Sequence, residues 1–282
     1  MIETPLLEIK GLTVEFPSLR ETVIAVGNVD ITIGSQERVG IVGESGSGKS
    51  TLAMASMGLL RAPGHIARGA ISFKGQDLAT GNLDDQRKRR RRNMAMVYQD
   101  PFTYLNPLMR IGDQVAESIA VGRKRRKPEV KAAVVQVLEE LGLTPGKQIA
   151  RKYPHQLSGG QRQRVVLAMA LVGEPALVIA DEPTTALDVT VQAQILRILS
   201  QSISSRGAAL LLISHDLEVV RLLCDRIYVM KNGEVVESGL TSNILENPQH
   251  PYTRQLLVSS RREDLLASSV PHWERGGSNE PA

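Results

Sequence analysis

The chain has 282 residues, 42% hydrophobic and 23% charged, with 34 basic against 30 acidic side chains and a formal charge of +4. At roughly 150 residues per domain this is about two domains, or one domain carrying an insertion, and the apolar fraction excludes a mostly disordered protein. The lone cysteine, Cys224, excludes a disulfide framework and a zinc or iron–sulfur site ligated by cysteines of one chain. The longest apolar runs, 208–213 and 176–180, fall far short of the roughly 18 residues a helix needs to cross a bilayer. Met-Ile-Glu-Thr-Pro at the start carries no basic segment followed by an apolar run, so no secretory signal is expected and the chain should stay in the cytoplasm.

In chain order, Leu6 to Ile9, Leu12 to Phe16 and Val29 to Ile33 alternate as β-strands do, and Arg38 to Val42 is a compact apolar run of the kind buried inside a sheet. After Lys49 the period becomes helical until Pro63, and Ala70 to Phe73 is a further strand. Two basic runs, Arg87 to Arg92 and Arg123 to Lys127, flank amphipathic helices over Gly112–Val121 and Glu129–Leu141, the second ended by Gly142. From Ala176 strands (177–180, 208–214) alternate with helices (190–205, 217–223), which implies parallel pairing in an α/β sheet with the helical middle inserted into it. The segment from Val270 has turn and disorder composition.

Gly43-Glu44-Ser45-Gly46-Ser47-Gly48-Lys49-Ser50, with Thr51 opening the helix behind it, fits the phosphate-binding P-loop pattern in full, between a buried strand and a helix. The glycines let successive backbone N–H groups converge on one centre, the helix end adds positive potential, Lys49 supplies a point charge and Ser50 a hydroxyl for Mg²⁺. Leu177-Val178-Ile179-Ala180-Asp181-Glu182 runs a hydrophobic strand into two carboxylates. Asp181 is the expected Mg²⁺ anchor, commonly through water, and Glu182 the general base that polarises the attacking water.

Leu157-Ser158-Gly159-Gly160-Gln161 then resembles the signature peptide of ATP-binding-cassette (ABC) ATPases. Gln99 within Val97-Tyr98-Gln99-Asp100-Pro101 resembles that family's Q-loop, Ala186-Leu187-Asp188 its D-loop, and Ile213-Ser214-His215-Asp216 its switch-histidine segment, all in the family's order over roughly residues 6 to 260. The resemblance implies a mixed-sheet P-loop NTPase of RecA-like type with an antiparallel β subdomain and an inserted α-helical subdomain. It divides the chain into 1–98 (first part of the nucleotide-binding core), 99–160 (helical signature subdomain), 161–240 (second part of the core) and 241–282 (C-terminal extension with a flexible tail). It further implies ATP and Mg²⁺ as ligands and a head-to-tail dimer in which each ATP lies between one P-loop and the partner's Ser158, Gly159, Gly160 and Gln161. His215 would contact the γ-phosphate, Gln99 would sense the metal and the attacking water, and Asp188 would connect the two sites. Phe16 is the candidate for stacking on adenine; a core or edge-strand phenylalanine fits it as well.

The stretches Asp181 to Gln194 and Glu246 to Leu257 are similar to the ATPases of peptide and nickel importers. That resemblance implies a subunit peripheral on the cytoplasmic face of the membrane, with two permeases, a second homologous ATPase and, indirectly, an extracytoplasmic binding protein as partners. His250 and Tyr252 read as turn and packing residues rather than metal ligands. Nickel or metal-chelate cargo, and a soluble ABC ATPase of an enzyme complex, are the alternatives. The loop Pro101 to Asn106 is where such cassettes receive a permease helix. The basic runs read first as solvated surface, second as attracted to the anionic inner leaflet, and nucleic acid is not expected as a partner because no aromatics interleave them.

Overall fold

The computed structural model describes residues 4–18, 20–79, 86, 90, 92–98, 104–120, 126–184 and 188–269. Two sheets organise them. The first is antiparallel, in the order β2 (Thr22–Ile33), β1 (Leu7–Pro17), β4 (His65–Phe73), β5 (Gln76–Asp77). The second runs β10 (Glu234–Leu240), β9 (Arg226–Lys231), β3 (Arg38–Val42), β8 (Ala209–Ile213), β7 (Leu177–Asp181), β6 (Met94–Val97). From β9 to β6 every pairing in it is parallel, and only β10 joins antiparallel.

Alternation along the central strands explains why this sheet is buried on both faces. Val178 and Ala180 of β7 and Leu210 and Leu212 of β8 join one core cluster, with the helices. Leu177 and Ile179, with Ala209, Leu211 and Ile213, join the other, with the antiparallel sheet and α1 (Lys49–Met57). A strand that packs on both sides has no polar face, which is why these segments read as unbroken apolar runs.

The helical region comprises α2 (Ile111–Ala120), α3 (Lys127–Glu140), the short α4 (Gly146–Ile149), a 3₁₀ turn at Pro154–Gln156 and α5 (Gly159–Leu171). Ile111, Val115, Leu138, Leu141 and Leu167 lock it onto the same core as the central sheet. The C-terminal half adds α6 (Val189–Arg206), α7 (Leu217–Leu223), α8 (Thr241–Glu246) and α9 (Pro251–Ser269).

Four expectations change. The helix after Lys49 ends at Met57, capped by Gly58 at φ +62°, and does not run on to Pro63. The strand expected at Ala70–Phe73 begins at His65, in a half that is exposed. Leu6–Ile9 and Leu12–Phe16 are parts of one strand, β1, because Gly11 at φ +56° forms a bulge whose N–H donates to Asp30 Oδ1 at 2.7 Å. Val29–Ile33 is only the end of β2, which begins seven residues earlier at Thr22; its first three residues, Thr22 to Ile24, are exposed on both faces, so alternation there is silent. Gln99, the loop 101–103, the D-loop residues 186 and 187, and most of both basic runs (87–89, 91 and 123–125) lie outside the described residues. Among the described residues no helix is long and apolar enough to cross a membrane.

Candidate nucleotide site

The parallel strands deliver their C-terminal ends side by side, the edge at which open α/β sheets place ligands. β3 runs into Gly43 and β7 into Glu182, β8 ends two residues before His215, and β6 ends at Val97, the first residue of the Q-loop segment. Strand order therefore gathers residues 43–50, 181–182 and 215 from distant parts of the sequence.

The P-loop is clamped by its neighbours. A Cβ on Gly43 (φ +153°) would lie 2.2 Å from Met230 O, and one on Gly48 (φ +99°) 2.3 Å from Ala25 O, so backbone approach excludes any side chain at either position. Gly233 N donates to Ser47 O at 3.0 Å and Gly27 N to Gly233 O at 2.9 Å, tying the loop to β2 and to the β9–β10 turn. Lys49 is buried, and its ammonium donates to Gly43 O at 2.8 Å, Glu44 O at 2.7 Å and Ser47 Oγ at 3.3 Å. The long third contact is the one a phosphate oxygen displaces most cheaply. Burial pulls the Lys49 pKa below its ordinary value, while Glu182, Asp181 and Glu44 oppose that pull by attraction.

Ser50 Oγ donates to Asp181 Oδ1 at 3.0 Å, so hydroxyl and carboxylate already face each other across α1 and β7. Burial raises the Asp181 carboxyl above its usual range and the Glu182 charge adds to this; the Ser50 hydrogen bond and Lys49 pull the other way. A carboxylate held uncomfortably in that setting, next to a hydroxyl, is a donor set a hard divalent cation fits, the remaining ligands being water and phosphate oxygens. Ser50 and Asp181 would hold Mg²⁺, which would supply charge neutralisation at the β- and γ-phosphates. No cluster of three or more His, Cys, Asp or Glu side chains exists among the described residues as an alternative metal centre.

Glu182 N donates to Ile213 O at 2.9 Å, and the residue takes φ +46°, a left-handed conformation unusual for a side chain with a Cβ. This kink ends the strand and turns Glu182 toward β8, where His215 Nδ1 sits 3.2 Å from Glu182 Oε1. With Glu182 ionised, that contact assigns the proton to Nδ1. Asp216 holds the loop behind His215 by accepting from Glu218 N and Val219 N as the N-cap of α7.

The signature peptide caps α5: Ser158 Oγ accepts from Gln161 N at 3.3 Å, and Gln161 Oε1 accepts from Ser158 N at 3.1 Å. Ser158 is exposed, and a Cβ on Gly159 would meet nothing within 4 Å, so the N-terminal end of α5 opens outward. Gly160 by contrast faces Val191 of α6 at 2.8 Å from the would-be Cβ, which fixes α5 against the segment after Asp188. Asp188 is exposed and caps α6 through Val191 N at 2.9 Å. Phe16 lies at the end of β1, half-buried over Gly64, where a Cβ would come within 2.4 Å of its ring. Cys224 is buried and its thiol is pushed up to about 12, far from a reactive thiolate.

The family model described as ABC transporter matches residues 26–185. The chain belongs to the ABC transporter family. A probable D,D-dipeptide transport ATP-binding protein of Escherichia coli, DdpD, is 45% identical over 95% of this chain and 82% of its own length. The oligopeptide transport ATP-binding protein OppD of Bacillus subtilis is 42% identical over 94% of this chain and 76% of its own length. Among solved structures, the dimeric post-hydrolysis state of the ATP-binding cassette MJ0796 bound to ADP and Pi covers 83% of this chain and 98% of that one, with TM-score 0.74 and 29% identity. The cassette is an ATP-binding and ATP-hydrolysing enzyme of P-loop NTPase fold, as the resemblance implied.

Sequence reasoning passed over one residue at the P-loop. Tyr252, read only as packing, places its Oη 3.0 Å from Glu44 N. A contact spanning 208 positions leaves no local spacing by which to find it.

Proposed function

We propose that this cassette is the ATP-hydrolysing motor of a peptide importer, peripheral on the cytoplasmic face of the membrane and joined there to two permeases and a second, related cassette. The observation that carries the motor reading is the split site. Lys49, Ser50, Asp181, Glu182 and His215 converge on one strand edge, while the end of α5 opens outward, with Ser158 exposed and open space beside Gly159 where a partner's nucleotide can approach. ATP then joins two chains, and its cleavage parts them. The cargo class rests on the names of the relatives at 42–45% identity.

The proposed roles combine the positions of the described residues with the family resemblance, which alone supplies the role of Gln99. The Gly43–Thr51 cradle and Lys49 bind the phosphates, and Phe16 stacks on the adenine. Glu182 takes a proton from the attacking water as the bond to the γ-phosphorus forms and the bridging oxygen leaves with ADP. His215, oriented by Glu182, stabilises charge on the γ-phosphate; Gln99 orients the water and the metal, and Asp188 couples the two sites. We assign residues 1–98 and 161–240 to the nucleotide core, 99–160 to the helical subdomain and 241–282 to the C-terminal extension.

A cleft of about 280 Å³ between the sheet edge and the helical region, lined by Met57, Met94, Met96, Tyr98, Tyr104 and Met169, suits a permease helix. Tyr98 and Tyr104 stack there with ring centroids 3.8 Å apart, and methionines give such a groove an adaptable apolar surface. The test is purification from detergent-solubilised membranes followed by reconstitution in vesicles. Recovery with two permeases and ATP-dependent uptake of short peptides supports the reading. Uptake of nickel instead reassigns the cargo, and recovery with soluble enzymes alone overturns the transport role.

A further inference from the structure

The family match ends at residue 185, yet the chain returns to the P-loop well beyond it, through α9. Tyr252, in the first turn of that helix and only 2% exposed, accepts the Glu44 N–H at 3.0 Å. Its ring is held in place from several sides. Lys231 Nζ stands 4.6 Å from the ring centroid, and Tyr252 N donates to His250 Nδ1 at 3.2 Å. The N–H groups of Gln249 and His250 donate to the Glu237 carboxylate at 2.7 and 3.1 Å, which anchors the start of α9 to β10.

The peptide that Tyr252 holds is the one Lys49 uses. Glu44 N and Gly43 O belong to a single planar unit, and Gly43 O accepts Lys49 Nζ at 2.8 Å. Turning that plane to lose the tyrosine also turns the carbonyl away from the ammonium. We propose that Tyr252 is a positioning residue for ATP: its hydroxyl fixes the Gly43–Glu44 peptide and, through that peptide's carbonyl, the Lys49 ammonium in the arrangement that receives phosphate. The C-terminal extension thereby sets nucleotide affinity. This rests on the P-loop reading above.

Tyr252→Phe keeps the ring, its burial and the Lys231 contact and removes only the acceptor. The expected result is a rise of about 2- to 10-fold in the Kd and KM for ATP, the span of one lost neutral hydrogen bond, with the change falling on KM rather than kcat. Adenosine, which lacks phosphates, should bind the variant and the parent alike. An unchanged ATP Kd overturns the proposal, as does an equal loss for adenosine and ATP, which marks general damage to the fold. Lys49→Ala, measured beside it, separates the two levels. ATP binding that survives Lys49→Ala refutes the P-loop assignment, whereas ATP binding lost there and untouched in Tyr252→Phe refutes only the role of Tyr252.

Discussion

Replacing Glu182 by Gln is the sharpest perturbation of the chemistry, because almost nothing else changes. The amide is the same size, the left-handed backbone at φ +46° is held by the Ile213 hydrogen bond rather than by the carboxylate, and Oε1 still accepts from His215. What disappears is a base, with one negative charge beside Asp181. A positioned general base contributes about 10²- to 10⁴-fold, which at 1.36 kcal/mol per tenfold is about 3 to 5 kcal/mol of barrier. Binding should move little, and in the tighter direction, because the lost charge repels the incoming γ-phosphate while Lys49 keeps all three of its donor contacts. Single-turnover phosphate release at saturating ATP measures the barrier, and equilibrium binding of ATP measures the rest. Release slowed by at least 10²-fold with ATP affinity retained is expected. Release at the parent rate would show that the proton leaves by another route and that the Glu182–His215 contact is only structural.

Lys49→Ala, whose ammonium is the one buried cation aimed at the phosphates among the described residues, should lose ATP affinity in the same binding assay. Asp181→Asn should abolish hydrolysis while raising the melting temperature of the nucleotide-free protein by about 2 to 4 °C, a gain near 1 kcal/mol from relieving a strained functional site. Because burial raises the Asp181 pKa, the wild type is unpenalised below the ordinary carboxylate range and loses stability as pH rises through the raised value. The thermal advantage of Asp181→Asn should therefore be largest at neutral pH and shrink on acidification, readable by calorimetry across that range. A gain that grew toward acid would contradict the sign.

The chemistry was legible in the sequence where it is local. A phosphate cradle is built from consecutive backbone N–H groups, so Gly43 to Ser50 announces itself, and a two-residue carboxylate step after an apolar strand does the same for Asp181 and Glu182. Ser158 and Gln161 were legible only as part of the signature peptide; that they cap α5 reciprocally is a finding of the structure. Alternation revealed the buried parts of β1 and β2, and unbroken apolar runs revealed β3, β7 and β8. It was silent where local pattern carries no information: the exposed start of β2 at Thr22 to Ile24, and Gly11, whose bulge looks like a break on paper. β9 and β10 were passed over because Arg226 to Lys231 is a short apolar run between polar turns, and its strand character comes from pairing with β3. Tyr252 shows the same limit at the site. Nothing near residue 252 speaks of phosphate, and only the packing of α9 against the P-loop brings it there.

The measurement closest to the heart of the account is the assembly state of the Glu182→Gln chain in ATP, followed by sedimentation with its paired cassette present. A closed two-chain particle that forms with ATP, falls apart with ADP, and is weakened when Ser158→Arg is introduced into this chain is the predicted result. Single chains persisting in saturating ATP, or a pair indifferent to the nucleotide and to Ser158, would contradict it.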